Sequence, residues 1–336
     1  MSALSDRFQP HARCPGCRVS RRETSELTTQ EHDIGNGIYA YLQPDGSWGW
    51  NNAGLIVDGD QSMLVDTLFD LKLTEAMLSE MRRAAAAAEH VNTLVNTHAN
   101  GDHCWGNQLV EGAEIITSRS SAEEMAEVPA AMLAQAMQMA PNMGALGAYI
   151  LRIFGDFDFN GIGPVAPTRT FDGHLTLQIG DKDVQLIEVG PAHTRGDLLV
   201  HVPQERVVFT GDILFINGHP IVWAGPVSNW IKACDRIMEM DVDVIVPGHG
   251  PITDKQGVAQ VKGYLAYLSA EARQHFDAGR SAMEAAKAIS LDAYASWTDA
   301  ERIVVNVNTL YREFSNDSAP VDFMGLFGQM AMLAQE

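Results

Sequence analysis

The stretch that decides the fold is Asn96-Thr97-His98-Ala99-Asn100-Gly101-Asp102-His103, which places two imidazoles, a carboxylate and a carboxamide within six positions. It follows directly on the apolar run 91–95. A loop at the end of a strand is well suited to metal binding, because the strand is rigid and the loop lets side chains converge. Residues two apart can point inward together while Asp102 and His103 diverge. We therefore expect this one loop to serve two neighbouring metal pockets.

Three further loops each supply a candidate metal-binding side chain, and each follows an apolar run. They are the loops 190–197, 210–212 and 247–250. Glycine in each loop lets the backbone pass close to a ligand. Six groups buried together without a ligand would leave polar atoms unpaired. The four loops therefore supply six candidate metal-binding side chains: His98, Asp102, His103, His193, Asp212 and His249.

The four loops resemble the pattern of the metallo-β-lactamase superfamily, which is H-x-H-x-D-H, a distant histidine in a G-H-T-x-G-D-like turn, T-G-D, and G-H. The resemblance spans about residues 33 to 253. It implies an α/β fold, a four-layer αββα sandwich with metals on one edge of the two sheets. The resemblance also implies ligand roles, with one group bridging both ions: His98 and His193 on the first metal, Asp102, His103 and His249 on the second, and Asp212 between them.

The chain departs from the superfamily pattern at Asn100, where the pattern has histidine. A neutral amide oxygen is a poorer ligand for zinc, so the first pocket is weakened. Asn100 stays a candidate ligand, but it could instead only shape the Asn100-Gly101 turn. The second pocket keeps its full set and suits one metal ion with an open position for water. We expect zinc, one or two ions per chain, with iron or manganese as alternatives.

Asp102 and three other side chains near the loops have further expected roles. Asp102 is the carboxylate predicted to orient a metal-bound water or accept its proton. His219, seven residues past Asp212, is a candidate acid or base, against a purely structural role. Cys104 is expected to be a small buried apolar residue rather than a soft-metal ligand. Asp66, at the end of an early strand, is expected to fix a loop and orient a metal-binding histidine.

Composition excludes several classes of protein. The 336 residues include 23 basic and 43 acidic ones, a formal charge of −20, which argues against a nucleic-acid or anionic-lipid surface. The sequence shows neither an apolar stretch of membrane-spanning length nor a secretory signal, so we expect a cytoplasmic protein with a small-molecule substrate. Four cysteines give no disulfide framework, and Cys14-Pro15-Gly16-Cys17 cannot complete a zinc site alone.

The pattern along the chain predicts a flexible arm at 1–30, a metallo-β-lactamase-like domain at 31–253 and a helical C-terminal extension at 254–336. Within the domain, a Met-rich segment at 119–160 is predicted to be an inserted helical pair. Strands are predicted at 37–42, 53–57, 63–66, 91–95, 175–179, 184–189, 198–202, 207–210 and 242–246. Helices are predicted at 71–89, at 229–240 and from 254 to about 314, with a break near 278–280.

The function that these features favour is metal-dependent hydrolysis of an ester, thioester, lactone or amide in a small, partly apolar substrate. The Met-rich insertion is expected to wall an apolar pocket or simply to pack on the core. Tryptophans near the motif loops are compatible with an aromatic cleft or with core packing. The alternatives are a mononuclear iron-dependent oxygenase or lyase on the same fold, and a metal-depleted binding protein. The C-terminal tail is expected to cover the sheets, close the pocket or build a homodimer interface.

Overall fold

The structure, a computed structural model, describes residues 30–335 of the chain. Except for Gln30, the predicted arm 1–30 lies outside these residues, and so does Cys14-Pro15-Gly16-Cys17. The described residues form two sheets, one from each of the two strand-rich portions of the sequence. The two sheets are therefore built in turn along the chain.

The first sheet has seven strands in chain order within residues 30–335. The first four strands are antiparallel to their neighbours, and the last three run parallel to the fourth. The first, sixth and seventh strands were not predicted, because their residues show no extended apolar run or clear alternation. The strands are β1 (Gln30–Gly35), β2 (Ile38–Leu42), β3 (Ala53–Asp58), β4 (Gln61–Val65), β5 (Thr93–Val95), β6 (Glu114–Ser118) and β7 (Arg169–Phe171).

The second sheet has five strands in the described part of the chain, in the order β12-β11-β10-β9-β8. Strands β8 to β11 pair antiparallel, and β12 pairs parallel with β11. All five were predicted, with ends that shift by up to two residues. The strands are β8 (His174–Ile179), β9 (Lys182–Glu188), β10 (Leu198–Val202), β11 (Val207–Phe209) and β12 (Val244–Val246).

Helices cover the outer faces of both sheets. The predicted helix 71–89 ends earlier than expected, because Ala85 is extended (φ −140°, ψ 123°) and a short 3₁₀ turn follows it. None of the helices within residues 30–335 is both long and apolar enough to cross a membrane. The helices are α1 (Leu71–Ala84), α2 (Gly101–Cys104), α3 (Arg119–Met125), α4 (Ala130–Met139), α5 (Gly144–Phe154), α6 (Val227–Glu239), α7 (Lys255–Asp277), α8 (Ala282–Ala288), α9 (Ile303–Ser315) and α10 (Phe323–Leu333).

The strands show how the layers are held together, because their side chains alternate between two cores. On β3, Leu55 packs under α1, whereas Ile56 packs between the two sheets. On β10, Val200 packs between the sheets, whereas Leu199 packs against the helices that cover the second sheet. The predicted four-layer αββα sandwich is confirmed, since the layers run helix, sheet, sheet, helix.

The Met-rich segment forms three helices, α3 to α5, rather than the predicted pair. Helix α5 buries Tyr149, Ile150 and Phe154 in the core cluster, whereas α4 leaves Met132 and Met139 more than half exposed. The C-terminal segment forms α7 to α10, and α7 ends where expected, with Gly279 at φ +73°. Both segments therefore pack on the core.

Candidate metal centre

The six predicted metal-competent side chains come together at one edge of the sandwich. They lie in the segments that follow β5, β9, β11 and β12, with Asp102 and His103 in the short helix α2 and not in the predicted loop, so both sheets contribute. Their ligand atoms form two groups, and within each group all of these atoms lie within 4.8 Å of one another. The groups are His98, His193 and Asp212 in one, and Asp102, His103 and His249 in the other.

Asp212 lies between the two groups. Its Oδ2 is 3.3 Å from the Nε2 atoms of both His193 and His249, and 3.8 Å from Nε2 of His98. Its Oδ1 is 3.0 Å from Nε2 of His103. Asp102 Oδ2 lies 3.4 Å from Nε2 of His249 on the open side of the cluster. One carboxylate therefore faces four imidazoles, as a group that bridges two ions would.

Each histidine is held by a hydrogen bond at Nδ1, which leaves its Nε2 turned toward the cluster. The Nδ1 of His103 contacts Asp66 Oδ2 at 2.9 Å, and the Nδ1 of His98 contacts the Thr97 hydroxyl at 3.0 Å. The remaining two rings bond backbone carbonyls: His193 Nδ1 to Ile221 at 2.7 Å and His249 Nδ1 to Trp50 at 3.1 Å. Such outer contacts fix the tautomer and orientation of metal-binding histidines.

The inner atoms of the cluster show that the residues fit a metal ion. Among the described residues, Nε2 of His98 is buried without a hydrogen-bond partner, and Nε2 of His103 and Oδ1 of Asp212, although 3.0 Å apart, are buried and not aligned for a hydrogen bond. Buried polar atoms without partners are costly, and imidazole nitrogens with carboxylate oxygens are ordinary ligands of zinc, iron and manganese. A cation at this place would satisfy these atoms together.

The charged groups of the cluster shift one another's pKa values. Burial lowers the pKa of His98 well below its ordinary range, and neighbouring His103 lowers it further. Burial also acts to lower the pKa of His249, but Asp212 and Asp102 outweigh it and raise that pKa to about 9. Burial acts to raise the pKa of Asp212, yet the surrounding histidines bring it well below the ordinary value. Protons thus compensate the carboxylates here, and a metal would compete with them.

Asp66 holds the histidine loop in place. Its Oδ1 accepts from the Thr97 backbone N–H at 2.6 Å, and its Oδ2 accepts from the Thr97 hydroxyl at 2.7 Å as well as facing His103. Asp66 itself has a left-handed backbone, with φ +62°. The expected loop-fixing and histidine-orienting contacts of this residue are therefore present.

Asn100 lies beside the first group of ligands. Its side-chain Nδ2 is 3.0 Å from Nε2 of His193, the atom that the first metal pocket would use. Since Nδ1 of His193 bonds a carbonyl oxygen, Nε2 is the acceptor of a neutral ring, and the amide donates to it. In this orientation Asn100 occupies a ligand atom instead of supplying one.

The structure does not bring His219 to the cluster. It is 1% exposed, its Nδ1 bonds the Thr298 carbonyl at 2.7 Å, and its ring packs against Tyr264 and Trp297. It is absent from the residues lining the cavity described below. This placement gives no support to an acid or base role. Cys104 is buried, as expected for a small apolar residue, and burial raises the pKa of its thiol.

A cavity of about 340 Å³ opens over the cluster, and most of its wall is apolar. Of the tryptophans near the motif loops, Trp48, Trp105 and Trp223 line it, whereas Trp50 and Trp230 do not. Met132 and Val128 contribute to its wall from the insertion. The metal-competent residues that line it are Asn100, Asp102, His193, Asp212 and His249. The aromatic cleft and the contribution of the insertion are both present.

The C-terminal extension contributes to this cavity, which is one of the three roles that the sequence left open for it, but sequence reasoning did not identify the residues involved. Phe323 and Phe327 of α10 line it, and so does Arg302, just before α9. Phe327 lies 6.0 Å from Trp48 and 6.2 Å from Trp223, measured between ring centroids. These residues lie far along the chain from every motif loop, so only the packing of the extension could reveal them.

Comparison with known sequences finds a family. Residues 47–249 match the family model of the metallo-beta-lactamase superfamily. The chain is 27% identical over 202 residues to the 2,4-dinitroanisole O-demethylase subunit alpha of Nocardioides sp. (strain JS1661). That alignment covers 58% of this chain and 51% of the relative, so the chain spans about half the length of that curated protein.

Solved structures share the fold at low sequence identity. A metallo-beta-lactamase from Pontibacter korlensis has a TM-score of 0.53 and 19% identity, covering 71% of this chain and 99% of that one. The stereoselective inverting sec-alkylsulfatase Pisa1 from Pseudomonas sp. has a TM-score of 0.63 and 15% identity. That match covers 87% of this chain and 52% of the sulfatase. At such identities the likeness concerns the fold alone.

Proposed function

The chain belongs to the metallo-beta-lactamase superfamily, and from this premise we propose that it is a metal-dependent hydrolase. The bond that it cleaves is an ester, thioester, lactone or amide in a small, partly apolar substrate. The observation that carries this proposal is the set of Nε2 atoms gathered around Asp212 at the floor of an apolar cavity. Zinc is the proposed metal.

Two sets of residues would hold the metal in this proposal. Bound there, it would lower the pKa of a water toward neutrality and polarise the carbonyl of the substrate. The second site is the stronger one, since all its groups are present, whereas in the first site the Asn100 amide competes with a metal for Nε2 of His193. The proposed ligands are His98, His193 and Asp212 at the first site, with Asn100 as a candidate, and Asp102, His103, Asp212 and His249 at the second.

Asp102 is the proposed residue for handling the proton of the attacking water. It lines the cavity, and at 9% exposure it is the most accessible of the six metal-competent groups. A carboxylate in this position orients a water and accepts its proton, and such a base contributes about 10²- to 10⁴-fold to a rate. Asp212 is enclosed by imidazoles and is proposed as a ligand only.

The cavity wall supports an apolar substrate. Its rings stack and tilt against one another, with Phe69 and Trp105 5.2 Å apart between centroids. Aromatic walls favour an apolar body because burying it removes apolar surface from water. Val128 and Met132 are 57% and 58% exposed at the rim, so the apolar lining continues to the surface. The group next to the cleaved bond is therefore proposed to be apolar.

The experiment is an assay of the zinc-loaded protein on esters, thioesters, lactones and anilides with short and long apolar groups. We expect turnover of at least one class, and Asp102→Asn to lower kcat by about 10²-fold or more. Metal content is measured on the same samples, because Asp102 is also a proposed ligand. The exposed Asp172→Asn is the matched control. Absence of turnover on every class, with zinc bound, would contradict the proposal.

A second candidate is a mononuclear iron-dependent oxygenase or lyase. The contact of Asn100 with His193 favours it, because one pocket is thereby weakened and a single ion with open positions would remain. Elemental analysis of protein produced in cells supplied with both zinc and iron separates the two candidates. Stoichiometric iron with oxygen consumption supports the second, whereas zinc without oxygen consumption removes it.

A further inference from the structure

We propose that Arg302 binds an anionic group of the substrate, so that the substrate is an apolar molecule carrying a carboxylate, sulfate or similar oxyanion. The inference rests on the proposed function, because it concerns the cavity over the metal centre. It adds a binding group from the C-terminal extension, outside the residues 47–249 that match the family model. It also narrows the substrate class from apolar to amphiphilic.

Arg302 is a buried cation in the wall of the cavity. Arg302 is 2% exposed. Its guanidinium carbon lies 4.4 Å from the centroid of the Trp48 ring and 5.3 Å from that of the Phe215 ring. A guanidinium held against aromatic faces keeps its orientation and is only weakly hydrated, which suits it to bind oxyanions in a pocket. The side chain is therefore held in place before any ligand arrives.

The hydrogen bonds of Arg302 leave donors for a ligand. Nη1 donates to the His219 carbonyl at 2.9 Å, and Nη2 pairs with Asp299 Oδ2 at 3.1 Å. Nε is buried and has no partner in the described part of the chain. A guanidinium has five N–H donors, and an unsatisfied buried donor costs free energy. An oxyanion accepting from Nε would remove that cost.

The charges around Arg302 leave it available for an anion. Asp299 is its one carboxylate partner in residues 30–335, and this carboxylate also accepts from the hydroxyls of Ser47 (2.7 Å) and Thr298 (3.2 Å). The neighbouring Glu301 is engaged by Arg152 instead, at 2.9 Å. Thus Asp299 shares its oxygens among three donors and does not fully saturate the guanidinium.

Arg302 is the only Lys or Arg among the described residues that line the cavity. Outside the cluster, Glu124 is the one acidic residue of that lining in residues 30–335. The whole chain carries a formal charge of −20, so most of its surface repels anions. A lone arginine in an aromatic pocket therefore distinguishes anionic from neutral apolar molecules.

The position of Arg302 relative to the metal centre is fixed by one ring. Phe215 contacts the guanidinium on one side and stacks on His249 on the other, with centroids 4.9 Å apart and planes 3° apart. Arg302 and His249 thus contact the same ring, and a ligand anchored at Arg302 would extend past Phe215 toward the cluster. The apolar remainder of the ligand would lie against Trp48, Trp223 and Phe327.

The test is a binding titration that needs no turnover. Binding to the zinc-loaded protein is measured by the change in fluorescence of the cavity tryptophans. The probes are 4-phenylbutyrate, the corresponding sulfonate and the neutral amide 4-phenylbutanamide. We expect the anions to bind more tightly than the amide. Arg302→Gln should reduce that preference by about tenfold, the size expected for one charge-assisted contact, with the amide affinity changed less than about twofold. Direct binding of anions to zinc occurs in the wild type and in Arg302→Gln alike, so it does not contribute to the difference in preference between them.

Two more variants keep the test informative if Arg302→Gln fails to fold. Asp299→Asn removes the competing carboxylate and keeps an oxygen for Ser47, so it should increase the preference for anions severalfold; a merely structural arginine would give no increase. Arg302→Lys keeps the positive charge but loses the paired N–H donors of the guanidinium, so it should give an intermediate preference for anions. The control is Arg273→Gln, a half-exposed arginine that also lies over aromatic rings but is outside the cavity lining.

The outcomes separate this inference from the proposed function. A folded Arg302→Gln that keeps the full anion preference, or an Asp299→Asn without any increase, overturns the inference. An anion preference that follows these variants supports it even when no ester, thioester, lactone or anilide is hydrolysed. The carboxylate and sulfonate probes show which oxyanion is preferred.

Discussion

At the scale of single residues, Asn100 has the largest chemical consequence. Where the superfamily pattern has an imidazole, this chain has an amide that donates to Nε2 of His193. The change removes one ligand and also occupies another, since a nitrogen that accepts a hydrogen bond cannot bind metal with the same lone pair. One substitution can thus make the two pockets unequal.

We predict that Asn100→His raises the metal content toward two ions per chain. The new imidazole would supply a ligand and release Nε2 of His193 from the amide. Metal per chain is measured by elemental analysis after dialysis against a weak chelator. Asn160→His, which adds an imidazole at an exposed loop, is the control. An unchanged stoichiometry would show that the amide does not limit the first pocket.

We also predict that Asp66→Asn weakens metal binding about 10- to 100-fold, the usual effect of losing an outer partner of a ligand. Asparagine tolerates the left-handed backbone at this position, so the change tests the charge and hydrogen bonding rather than strain. An amide NH₂ in place of Oδ2 could no longer accept the hydrogen bond from Nδ1 of His103. The measurement is a chelator competition, with the exposed Asp33→Asn as control. An affinity within about twofold of wild type would refute the orienting role.

At the scale of elements, β10 carries a buried histidine with an unusual environment. His201 is 8% exposed, lies opposite Val208 of β11, and neither ring nitrogen has a hydrogen-bond partner among the described residues. Burial lowers its pKa below the ordinary 6.5, and the charge of Arg236 lowers it further, against a smaller effect of Asp241. The strand therefore holds this ring in its neutral form.

From this we predict the pH dependence of stability. The pKa of His201 is lower in the folded than in the unfolded state, so its stabilising contribution is complete above pH 6.5 and is lost as the pH falls through the folded-state pKa. His201→Leu should therefore make the free energy of unfolding fall less between pH 7 and pH 5. Denaturant unfolding at both pH values measures this, with the exposed His174→Leu as control. An equal fall in variant and wild type would contradict it.

Helix α10 provides a prediction about the substrate. Phe327 contacts Trp48 and Trp223 in the cavity, whereas Met332 of the same helix is 53% exposed and outside the lining. Phe327→Ala should raise KM for substrates with long apolar groups severalfold, with kcat nearly unchanged, because truncation removes apolar contact but no reacting group. Steady-state kinetics on a chain-length series measures the effect. Met332→Ala should leave KM unchanged, and an equal change in both variants would refute the role of Phe327.

At the scale of the whole molecule, the metal centre joins the two sheets. His98 and His103 follow β5 of the first sheet, whereas Asp212 and His249 follow β11 and β12 of the second. Their ligand atoms meet within hydrogen-bond range or slightly beyond. A bound cation would therefore cross-link two halves of the chain that are otherwise held by the apolar layer between the sheets.

We predict that metal removal lowers the thermal stability of the whole domain. A ligand that binds only the folded state stabilises it by RT ln(1 + [L]/Kd), about 2.7 kcal/mol at a hundredfold excess over Kd. Thermal unfolding with zinc and with chelator measures the difference. Asp212→Asn should lose most of it, since Asp212 faces both groups of ligands. Equal melting temperatures with and without zinc would contradict the cross-link.

The sequence by itself determined the fold class, most strands and the order of the loops that carry metal-competent groups. Alternating apolar residues mark a strand locally, and a loop motif such as 96–103 needs no distant contact to be recognised. The sequence could not reveal β6 and β7, because these short parallel strands carry only a weak local pattern. The boundary of α1 also escaped it, because an alanine-rich run favours helix wherever packing allows.

Only the tertiary structure decided what surrounds the metal centre. In the folded chain His219 lies outside the cluster, the Asn100 amide contacts His193, and Arg302 of the C-terminal extension lines the cavity. None of these contacts has a local signature, because each joins residues that are distant in sequence and meet only when the layers pack. Local patterns select the elements, and long-range packing selects the neighbours that shape the chemistry.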